Sequence, residues 1–422
     1  MQQTNFDVII VGSGTVGATL ACALLQGGMQ VALIEAKPKI SPTSPLEQKE
    51  SNEAILKTDL RTFALTRASE RIFANLGIWE KITAQRISPY REMHVWDASG
   101  SGEIHFDSAA LHEATLGHIV EQTVIQAALI ARLTEFDNLT TYCPATVQRF
   151  NLKEEDRKNR LNETTMQVGL NTGEYLTTRL LISAEGANSS IRTQAGIQYQ
   201  LHDHGQQAIV ATIQTEQPHQ ETAWQRFLPT GPLAFLPLSD SHTSSIVWSI
   251  DTPLAQHLMT VESEDFQHEL ENAFAFKLGK VINSGKRGAF PLQSRHVRNY
   301  VQPRLALVGD AAHSVLPLAG QGLNLGLLDA ATLSEVILNA HARHRDFGSY
   351  RELRRYERWR KGDNFIMLKT MEGFKQLFGR QSHLLTLARN VGLNLTDSAT
   401  PLKQVIMQYA MGLKGDLPFL AQ

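Results

Sequence analysis

The chain has 422 residues, of which 42% are hydrophobic and 19% are charged, and its formal net charge is -2. This length exceeds what a single compact core usually supports, so two or three domains are expected. The near-neutral charge argues against a polyanion partner, and no nucleic-acid ligand is predicted. The two cysteines, Cys22 and Cys143, show no metal-ligand spacing. They indicate reduced thiols and no metal site.

The apolar residues near the N-terminus are interpreted as a folded element and not as a signal peptide. They have no basic leader, and Asp7 and three glycines interrupt them. No segment approaches the roughly 18 uninterrupted apolar residues of a membrane span. A cytoplasmic protein is therefore expected.

The first predicted strand, residues 8–11, runs directly into a glycine-rich turn and a helix-forming segment. Gly12 permits the tight turn, Gly14 lets the backbone approach a pyrophosphate, and Gly17 lets helix and strand pack closely. The start of the helix offers free N–H groups and the positive end of its dipole to phosphates. The candidate phosphate-binding residues are Gly12, Ser13, Gly14, Thr15, Val16 and Gly17.

A second predicted strand, residues 29–34, ends at Glu35. This acid stands where a carboxylate binds the ribose hydroxyls of a dinucleotide. Strand, helix, strand and acid together predict a Rossmann-like unit, but the pattern does not separate FAD from NAD. The loop that follows, residues 36–58, is long for a connection and indicates either a flexible excursion or part of a ligand lid.

Further elements alternate along the chain. Helices are predicted at 68–76 and 122–136, and strands at 93–96, 103–106, 140–142, 145–150 and 180–183. The polar residues 154–160 are interpreted as a solvated turn. Between residues 203 and 290 the pattern changes to a separate, mostly antiparallel sheet with strands at 208–214, 224–228, 233–238 and 244–250 and a helix at 262–276. From Leu323 onward the chain is largely helical.

A third informative segment begins with the apolar strand 305–308. It ends at Gly309 and Asp310, which places a carboxylate at the strand edge where open α/β sheets bind ligands. A few residues later, glycines on either side of Gln321 open a helix. Each of these two segments taken alone is also consistent with an ordinary strand, turn or helix whose small residues only aid packing. This alternative explains the two segments together poorly.

Together these segments resemble the ubiquinone-biosynthesis FAD-dependent hydroxylase family, within the para-hydroxybenzoate hydroxylase-like aromatic hydroxylases. The three superfamily motifs match residues 12–17, residues 185–186, and residues 309–310 with 320–322. More specific similarity lies at 59–65, 116–121, 231–238, 309–326 and 410–412. The resemblance covers nearly the whole chain.

The resemblance implies an FAD held by the first and third motifs. It assigns the pyrophosphate to residues 12–17, the adenosine ribose to Glu35 and the adenine to the backbone at Val147. The diphosphate or ribityl chain would be reached by Arg61 and Gln122, and the ribityl chain by Asp310. The residues implied along the isoalloxazine ring are Gly320, Gln321, Gly322, Leu323 and Asn324, with Pro317 just before them facing the substrate. A surface cation at Arg61 and a helix start at Gln122 remain alternatives.

One motif departs from the family pattern. The middle motif usually reads Asp-Gly, whereas this chain has Glu185 and Gly186. Because that motif is linked to both FAD and NAD(P)H, the handling of the reductant is the step that the longer side chain puts in doubt. A plain turn acid is the alternative interpretation of Glu185.

The activity implied by the resemblance is hydroxylation of the aromatic ring of a prenylated phenol intermediate in ubiquinone biosynthesis. Such an enzyme uses O2 and NAD(P)H as a transient reductant, through a flavin C4a-hydroperoxide. A hydroxylase of a soluble aromatic compound and a non-catalytic FAD-holding subunit of a biosynthetic assembly remain alternatives. No catalytic residue is assigned, and His313 is interpreted as a structural residue at a helix start in preference to a general base.

The expected fold is an α/β protein whose Rossmann-like FAD-binding domain carries an inserted, mostly antiparallel substrate domain and a helical C-terminal region. The FAD-binding domain comprises residues 1–90, 107–200 and 300–345. The substrate domain comprises residues 91–106 and 201–299, and the helical region comprises residues 346–422.

The helical C-terminal region has an apolar stripe formed by Phe365, Leu368, Met371, Phe374, Leu377 and Phe378. Packing on the flavin domain or a subunit interface in a homo-oligomer is one interpretation. Contact with a membrane surface is the other, since a polyprenyl substrate resides in the bilayer. Peripheral attachment at the inner membrane is the corresponding alternative for localisation.

Overall fold

The computed structural model describes residues 4–38, 59–153, 164–316, 320–379, 390, 396–397 and 399–422. Most of the predicted loop 36–58, the predicted turn 154–160 and Pro317 lie outside the described residues. Within the described residues the strands form three sheets, of eight, nine and three strands. None of the described helices is both long enough and apolar enough to cross a bilayer.

The strands in chain order are β1 (Thr4–Val11), β2 (Val31–Ile34), β3 (Thr62–Thr66), β4 (Ile87–Tyr90), β5 (Glu92–Asp97), β6 (Glu103–Asp107), β7 (Gly117–Glu121), β8 (Leu139–Tyr142), β9 (Val147–Lys153), β10 (Thr165–Leu170), β11 (Tyr175–Ser183), β12 (Tyr199–Thr215), β13 (Thr222–Leu228), β14 (Gly231–Pro237), β15 (Thr243–Asp251), β16 (Val281–Ser284), β17 (Gly288–Val297), β18 (Val301–Gln302), β19 (Leu305–Leu307) and β20 (His313–Ser314). The helices are α1 (Thr15–Gln26), α2 (Arg67–Asn75), α3 (Trp79–Thr83), α4 (Gln122–Leu133), α5 (Ser190–Gln194), α6 (Thr252–Thr260), α7 (Ser263–Ala273), α8 (Gln321–Ala342), α9 (Tyr350–Gly379) and α10 (Thr400–Ala410).

The eight-stranded sheet has the parallel order β19-β11-β1-β2-β8 at its centre. Val11, the last residue of β1, pairs with Ser183 on one side and Ile34 on the other, so these strands end at one edge. The strand is apolar without alternation because helices cover both faces of a parallel sheet, and Val8, Ile9 and Ile10 are fully buried. The three dinucleotide-type motifs therefore follow neighbouring strands.

The nine-stranded sheet is antiparallel except for the pair β13–β5. One face packs on α6 and α7, where the ring of Phe235 stacks on Phe274 with centroids 3.6 Å apart. The helix predicted at 262–276 is observed as α7, which ends at Ala273. Sequence analysis missed α6, which precedes it and has a proline in its first turn. The hairpin β5–β6 pairs with β13 of this sheet, although the hairpin and β13 are far apart in the sequence. This pairing supports the grouping of residues 91–106 with 201–299. The domain boundaries stay a prediction.

The opposite face of this sheet packs on α9. Met371 of that helix is buried with Ala208, Leu292 and Leu316, and the ring of Phe378 stacks on Phe227 at 3.9 Å. Packing against the protein therefore explains these members of the predicted apolar stripe. Phe365 differs because it is 47% exposed, and the side chain of Phe374 lies outside the described part of the chain.

Candidate FAD site

The turn between β1 and α1 is shaped by two glycines that tolerate no side chain. Gly12 has a φ of 102°, and a Cβ there would lie 2.5 Å from the carbonyl oxygen of Ala184. A Cβ on Gly17 would lie 2.0 Å from the carbonyl oxygen of Gly12. Both separations are far below van der Waals contact. These glycines bring the first turn of α1 onto the edge of the sheet.

The middle glycine of the motif has a different environment. Gly14 precedes α1, has an ordinary φ of -60°, and a Cβ built on it would meet no protein atom within 4 Å. The first N–H groups of the helix have no partner within the helix and lie beside this open space. The open space suits a diphosphate, which a side chain at this position would displace. The residues of the first motif therefore fit the pyrophosphate of a dinucleotide.

Glu35 is held in place immediately after β2. One carboxylate oxygen accepts hydrogen bonds from the backbone N–H and the hydroxyl of Ser13, both at 2.8 Å, and the other accepts one from the N–H of Lys37 at 2.9 Å. Burial acts to raise the pKa of Glu35, but these hydrogen bonds outweigh it and hold the pKa below its ordinary value. Glu35 is therefore an ionised acceptor suited to ribose hydroxyls.

The segment after β8 lies next to Glu35. The backbone N–H of Glu35 donates to Tyr142 at 2.9 Å, and its carbonyl accepts from the N–H of Ala145 at 2.8 Å. Val147 follows at the start of β9, with its side chain 6% exposed in the core. Any contribution of Val147 to an adenine site therefore comes from its backbone, as the resemblance implies.

Arg61 and Gln122 are neighbours in the structure. The N–H of Gln122 donates to the carbonyl of Arg61 at 2.9 Å. Asp59 organises both segments, because its carboxylate accepts from the N–H groups of Arg61 at 3.0 Å and Thr123 at 3.2 Å. The Arg61 guanidinium lies 4.8 Å from the centre of the Phe290 ring, which belongs to β17. Arg61 thus lies where the first part of the chain meets the nine-stranded sheet.

Asp310 follows β19 in a cleft of the protein. Its side chain is accessible to solvent, yet protein surrounds it closely enough that desolvation raises its pKa. The positive fields of His313, Arg295 and Arg61 oppose that rise. Arg61 therefore lies close enough to Asp310 for its charge to lower the pKa of that carboxyl, although 249 positions separate them in the sequence (310 − 61). An accessible carboxylate in such a cleft is suited to accept hydrogen bonds from ribityl hydroxyls.

Close backbone packing joins the first and third motifs. Gly309 has a φ of 58°, and a Cβ on Gly326 of α8 would lie 2.7 Å from a methyl group of Val16. Gly320 precedes α8 in the left-handed conformation with a φ of 63°. The amides at the start of α8, which have no partner within that helix, belong to Gln321, Gly322 and Leu323, the residues that the resemblance assigns to the isoalloxazine ring.

Asn324 is used differently from the other residues of the third motif. Its side-chain oxygen accepts from the hydroxyl of Ser69 at 2.7 Å and the N–H of Thr66 at 3.1 Å, and its side-chain nitrogen donates to the carbonyl of Ala64 at 2.9 Å. The amide therefore ties α8 to the junction of β3 and α2. Only its backbone is available to a ring, and the assignment of Asn324 to the flavin stays a prediction.

Glu185 supports the turn in which it stands. Its carboxylate accepts from the hydroxyls of Ser183 at 3.0 Å, Ser189 at 2.8 Å and Ser190 at 2.7 Å, and from the N–H of Ile191 at 3.0 Å. Gly186 continues the turn with a φ of 77°. These bonds occupy both oxygens and support the interpretation of Glu185 as a turn acid.

Sequence reasoning missed the acid that supports the third motif. Asp329 of α8 is fully buried, and its carboxylate accepts from the N–H of Gly309 at 3.1 Å, Arg360 at 3.0 Å and Asn364 at 3.1 Å, and pairs with His313 at 2.5 Å. Burial acts to raise its pKa, but His313 and Arg360 lower it to about 2. The available signal was a single acid within the otherwise apolar residues 325–331.

The same contacts define the role of His313. It is 2% exposed and lies in β20, so it is structural but does not start a helix. Arg192 was also missed. Its guanidinium donates to the carbonyls of Ala187 at 2.7 Å and Ala311 at 3.0 Å, which ties the second motif to the third.

Comparison with known proteins agrees with this geometry. The family model described as an FAD binding domain matches residues 5–362. The 3-demethoxyubiquinol 3-hydroxylase of Escherichia coli (strain K12) is 36% identical over 410 residues, which cover 96% of this chain and 98% of that protein. The chain belongs to the FAD-dependent hydroxylases of the ubiquinone-biosynthesis family.

One further relative and one solved structure extend the comparison. The ubiquinone hydroxylase UbiL of Rhodospirillum rubrum is 34% identical over 408 residues, covering 96% of this chain and 89% of that protein. The crystal structure of p-nitrophenol 4-monooxygenase PnpA from Pseudomonas putida DLL-E4 superposes with a TM-score of 0.74 at 16% identity, covering 97% and 99% of the two chains. At that identity the similarity shows a shared fold.

Proposed function

We propose that this protein is a monooxygenase that hydroxylates the aromatic ring of a prenylated phenol intermediate in ubiquinone biosynthesis, with O2 and NAD(P)H as co-substrates. One structural observation carries the proposal: the three motifs come together in the fold. They do so in a chain that is similar over nearly its whole length to ubiquinone-biosynthesis hydroxylases. Bound FAD would supply the redox chemistry by which oxygen is activated for transfer to the ring.

The chain's own residues would hold and orient the cofactor. The amides after Gly14 and the open space beside it suit the pyrophosphate, Glu35 suits the adenosine ribose, and Asp310 suits the ribityl hydroxyls. Arg61, at the border of the same cleft, would neutralise phosphate charge. The unpartnered amides of residues 321–323 would bind an electron-rich edge of the flavin ring.

The substrate side would be lined by the inner face of the nine-stranded sheet. Phe235 is not available for this role because it packs on Phe274 beneath α7. Side chains alternate along a strand, so Leu236 of β14 points to the opposite face and is half-buried. On the same face Ala208, Leu292 and Leu316 are already buried with Met371 of α9, whereas Val247 is half-buried. An apolar wall excludes water from the reacting oxygen and suits a prenylated ring.

NAD(P)H would act as a visiting reductant. One GxGxxG motif is present in the chain, and the FAD pyrophosphate accounts for it. Because the Glu185 carboxylate is bonded within its own turn, its part in reductant handling would be to maintain the shape of that turn. A prenylated substrate also partitions into the bilayer, so contact with a membrane surface is part of the proposal.

Mass spectrometry of quinone lipids from a strain lacking this gene tests the proposal. We expect a prenylated intermediate short of one hydroxyl group to accumulate, and its structure would identify the ring carbon. The purified protein should then oxidise NAD(P)H faster when that intermediate is added. An unchanged lipid profile together with oxidation stimulated by soluble phenols would instead establish a hydroxylase of soluble aromatics. Absence of any stimulated oxidation would establish a non-catalytic FAD-binding subunit.

A further inference from the structure

A groove of about 810 Å³ lies outside the cofactor cleft, between α9, the start of β12 and the end of β17. Four cationic side chains line it: Arg298, Arg354, Arg358 and Lys361. The spacing of 354, 358 and 361 along α9 places these residues on one face of the helix. The groove thus combines depth with a concentration of positive charge, although the whole chain has a net charge of -2.

Most of this positive charge is not neutralised by the protein. Arg354 pairs with Glu357 at 2.6 Å. Among the residues that the structure describes, Arg298, Arg358 and Lys361 have no acidic partner, and the Lys361 ammonium donates to the backbone carbonyl of Arg298 at 2.5 Å.

His296 lies in the same groove and responds to this positive field. Burial lowers its pKa first, and His313, Lys361 and Lys369 lower it further, to about 4. Its imidazole is therefore uncharged at neutral pH, and the positive charge of the groove comes from its arginines and Lys361.

Apolar side chains project from the same helix one to two turns further on. Phe365, which also lines the groove, is 47% exposed, and Ile366 is 65% exposed. Leu368 and Met371 of the same helix are each 7% exposed and face the protein. A large aliphatic side chain that extends into solvent beside a cationic groove gains nothing from a soluble anion, but it is stabilised when it enters an acyl-chain layer.

We propose that this groove and the exposed residues Phe365 and Ile366 form a docking site for anionic phospholipids, with α9 lying on the membrane surface. Arg298, Arg358 and Lys361 bind headgroup phosphates, and the two apolar side chains enter the layer beneath the headgroups. The inference rests on the membrane contact in the proposed function and gives that contact a location. Because the site is separate from the FAD residues and lipid binding needs no turnover, a failure of lipid binding is measured separately from a failure of the proposed reaction.

The test is flotation of the FAD-loaded protein with vesicles of phosphatidylglycerol and phosphatidylcholine, compared with phosphatidylcholine alone. We expect binding to the anionic vesicles that weakens as salt is raised. The double variant Arg298→Gln/Arg358→Gln should bind on the order of thirtyfold more weakly, from about 1 kcal/mol for each cation removed at an anionic surface. The charge-matched control is Lys280→Gln/Lys286→Gln, which removes two exposed cations from another surface and should bind as the wild type does.

An Ile366→Asn variant tests the apolar part, since it leaves every groove cation in place and should still weaken binding. Equal binding by both double variants would overturn the proposal, as would an absence of binding to anionic vesicles at low salt. Inorganic pyrophosphate supplies the remaining comparison. If it binds the wild type and not the Arg298→Gln/Arg358→Gln variant while vesicles do not bind, the groove is a site for soluble anions and the lipid proposal is wrong.

Discussion

At the scale of single residues, the glycines of the first motif serve two different requirements. Gly12 and Gly17 are needed for folding, because a Cβ at either one would overlap a backbone carbonyl. At Gly14 a Cβ would meet no protein atom within 4 Å, so the proposed role of this glycine is to keep space for the ligand. The motif is a single pattern in the sequence, but substitutions within it should separate stability from cofactor binding.

Gly14→Ala should fold normally and bind FAD poorly. Its backbone φ of -60° suits alanine, so the free energy of unfolding should change by less than about 1 kcal/mol. The added methyl group occupies the space assigned to the pyrophosphate, so FAD affinity should fall by about tenfold or more, at least about 1.4 kcal/mol. Flavin-fluorescence titration and urea unfolding measure the two quantities.

Gly17→Ala is the matched comparison for this prediction. Its Cβ would lie 2.0 Å from the Gly12 oxygen, so overpacking should destabilise the fold by about 1–3 kcal/mol. If Gly14→Ala binds FAD as tightly as the wild type, the pyrophosphate does not lie beside Gly14.

Asp310→Ala should give a folded protein that purifies largely without colour. The accessible carboxylate follows β19 inside the cleft, and losing a charged hydrogen-bond acceptor should weaken FAD binding by about tenfold to a hundredfold. Absorbance of the purified protein near the flavin maximum reports the occupancy. The exposed Asp137 provides the control as Asp137→Ala, which should stay yellow. Full occupancy in Asp310→Ala would refute the assignment of the third motif.

At the scale of elements, α8 connects the cofactor site to α9. Its start carries the third motif, and about two turns later Asp329 binds Gly309 on one side and Arg360 and Asn364 of α9 on the other. A buried carboxylate that fixes the backbone of Gly309 also fixes the position of Asp310 beside it. The geometry of the cofactor cleft therefore depends on a helix that lies outside the Rossmann-like sheet.

Asp329→Asn should lower the free energy of unfolding at pH 7 by about 3–5 kcal/mol, because it removes the buried counter-charge of Arg360 and leaves that guanidinium only the exposed Asp363. The folded state holds the Asp329 pKa at about 2, below the ordinary 3.8. Its stabilisation is therefore complete above about pH 4 and is lost as the pH falls toward 2. Urea unfolding at several pH values should show the difference between wild type and variant shrinking over that interval.

Asp363 supplies the control for Asp329, since it also pairs with Arg360 but is 55% exposed. Asp363→Asn should cost less than about 1 kcal/mol. A similar loss in both variants would mean that burial of Asp329 does not determine its contribution.

At the scale of the whole molecule, the cofactor cleft is assembled from segments far apart in the chain. The turn after β1, the segment around Arg61 and the start of α8 meet only in the folded protein, and the hydroxyl of Thr62 bonds the hydroxyl of Ser245 in the nine-stranded sheet at 2.9 Å. A ligand that contacts all these segments binds the folded state alone, so it stabilises the entire assembly.

FAD added to the FAD-free protein should therefore raise its stability. At a concentration one hundred times the dissociation constant the gain is about 2.7 kcal/mol, measurable as a higher urea midpoint. ADP at the same concentration should give a smaller rise, because it reaches the first motif and Glu35 but not Asp310. A midpoint that FAD leaves unchanged would show that these segments do not form a common site.

The sequence by itself determined the first motif, Glu35, the third motif and the change to an antiparallel sheet near residue 203. These features depend on local requirements, since glycine at a tight turn and alternating apolar residues leave their pattern in a few consecutive positions. The sequence also indicated α9, because its apolar residues recur at helical spacing.

Only the tertiary structure decided which partners the polar side chains would find. Asn324 is engaged by the β3–α2 junction, Glu185 by its own turn, and Asp329 by residues on both sides of α8. The tertiary structure likewise decided which side chains of α9 pack on the nine-stranded sheet and which are exposed to solvent. A buried polar group needs a hydrogen-bond partner. Which partners lie within reach depends on contacts between segments that are distant in the sequence.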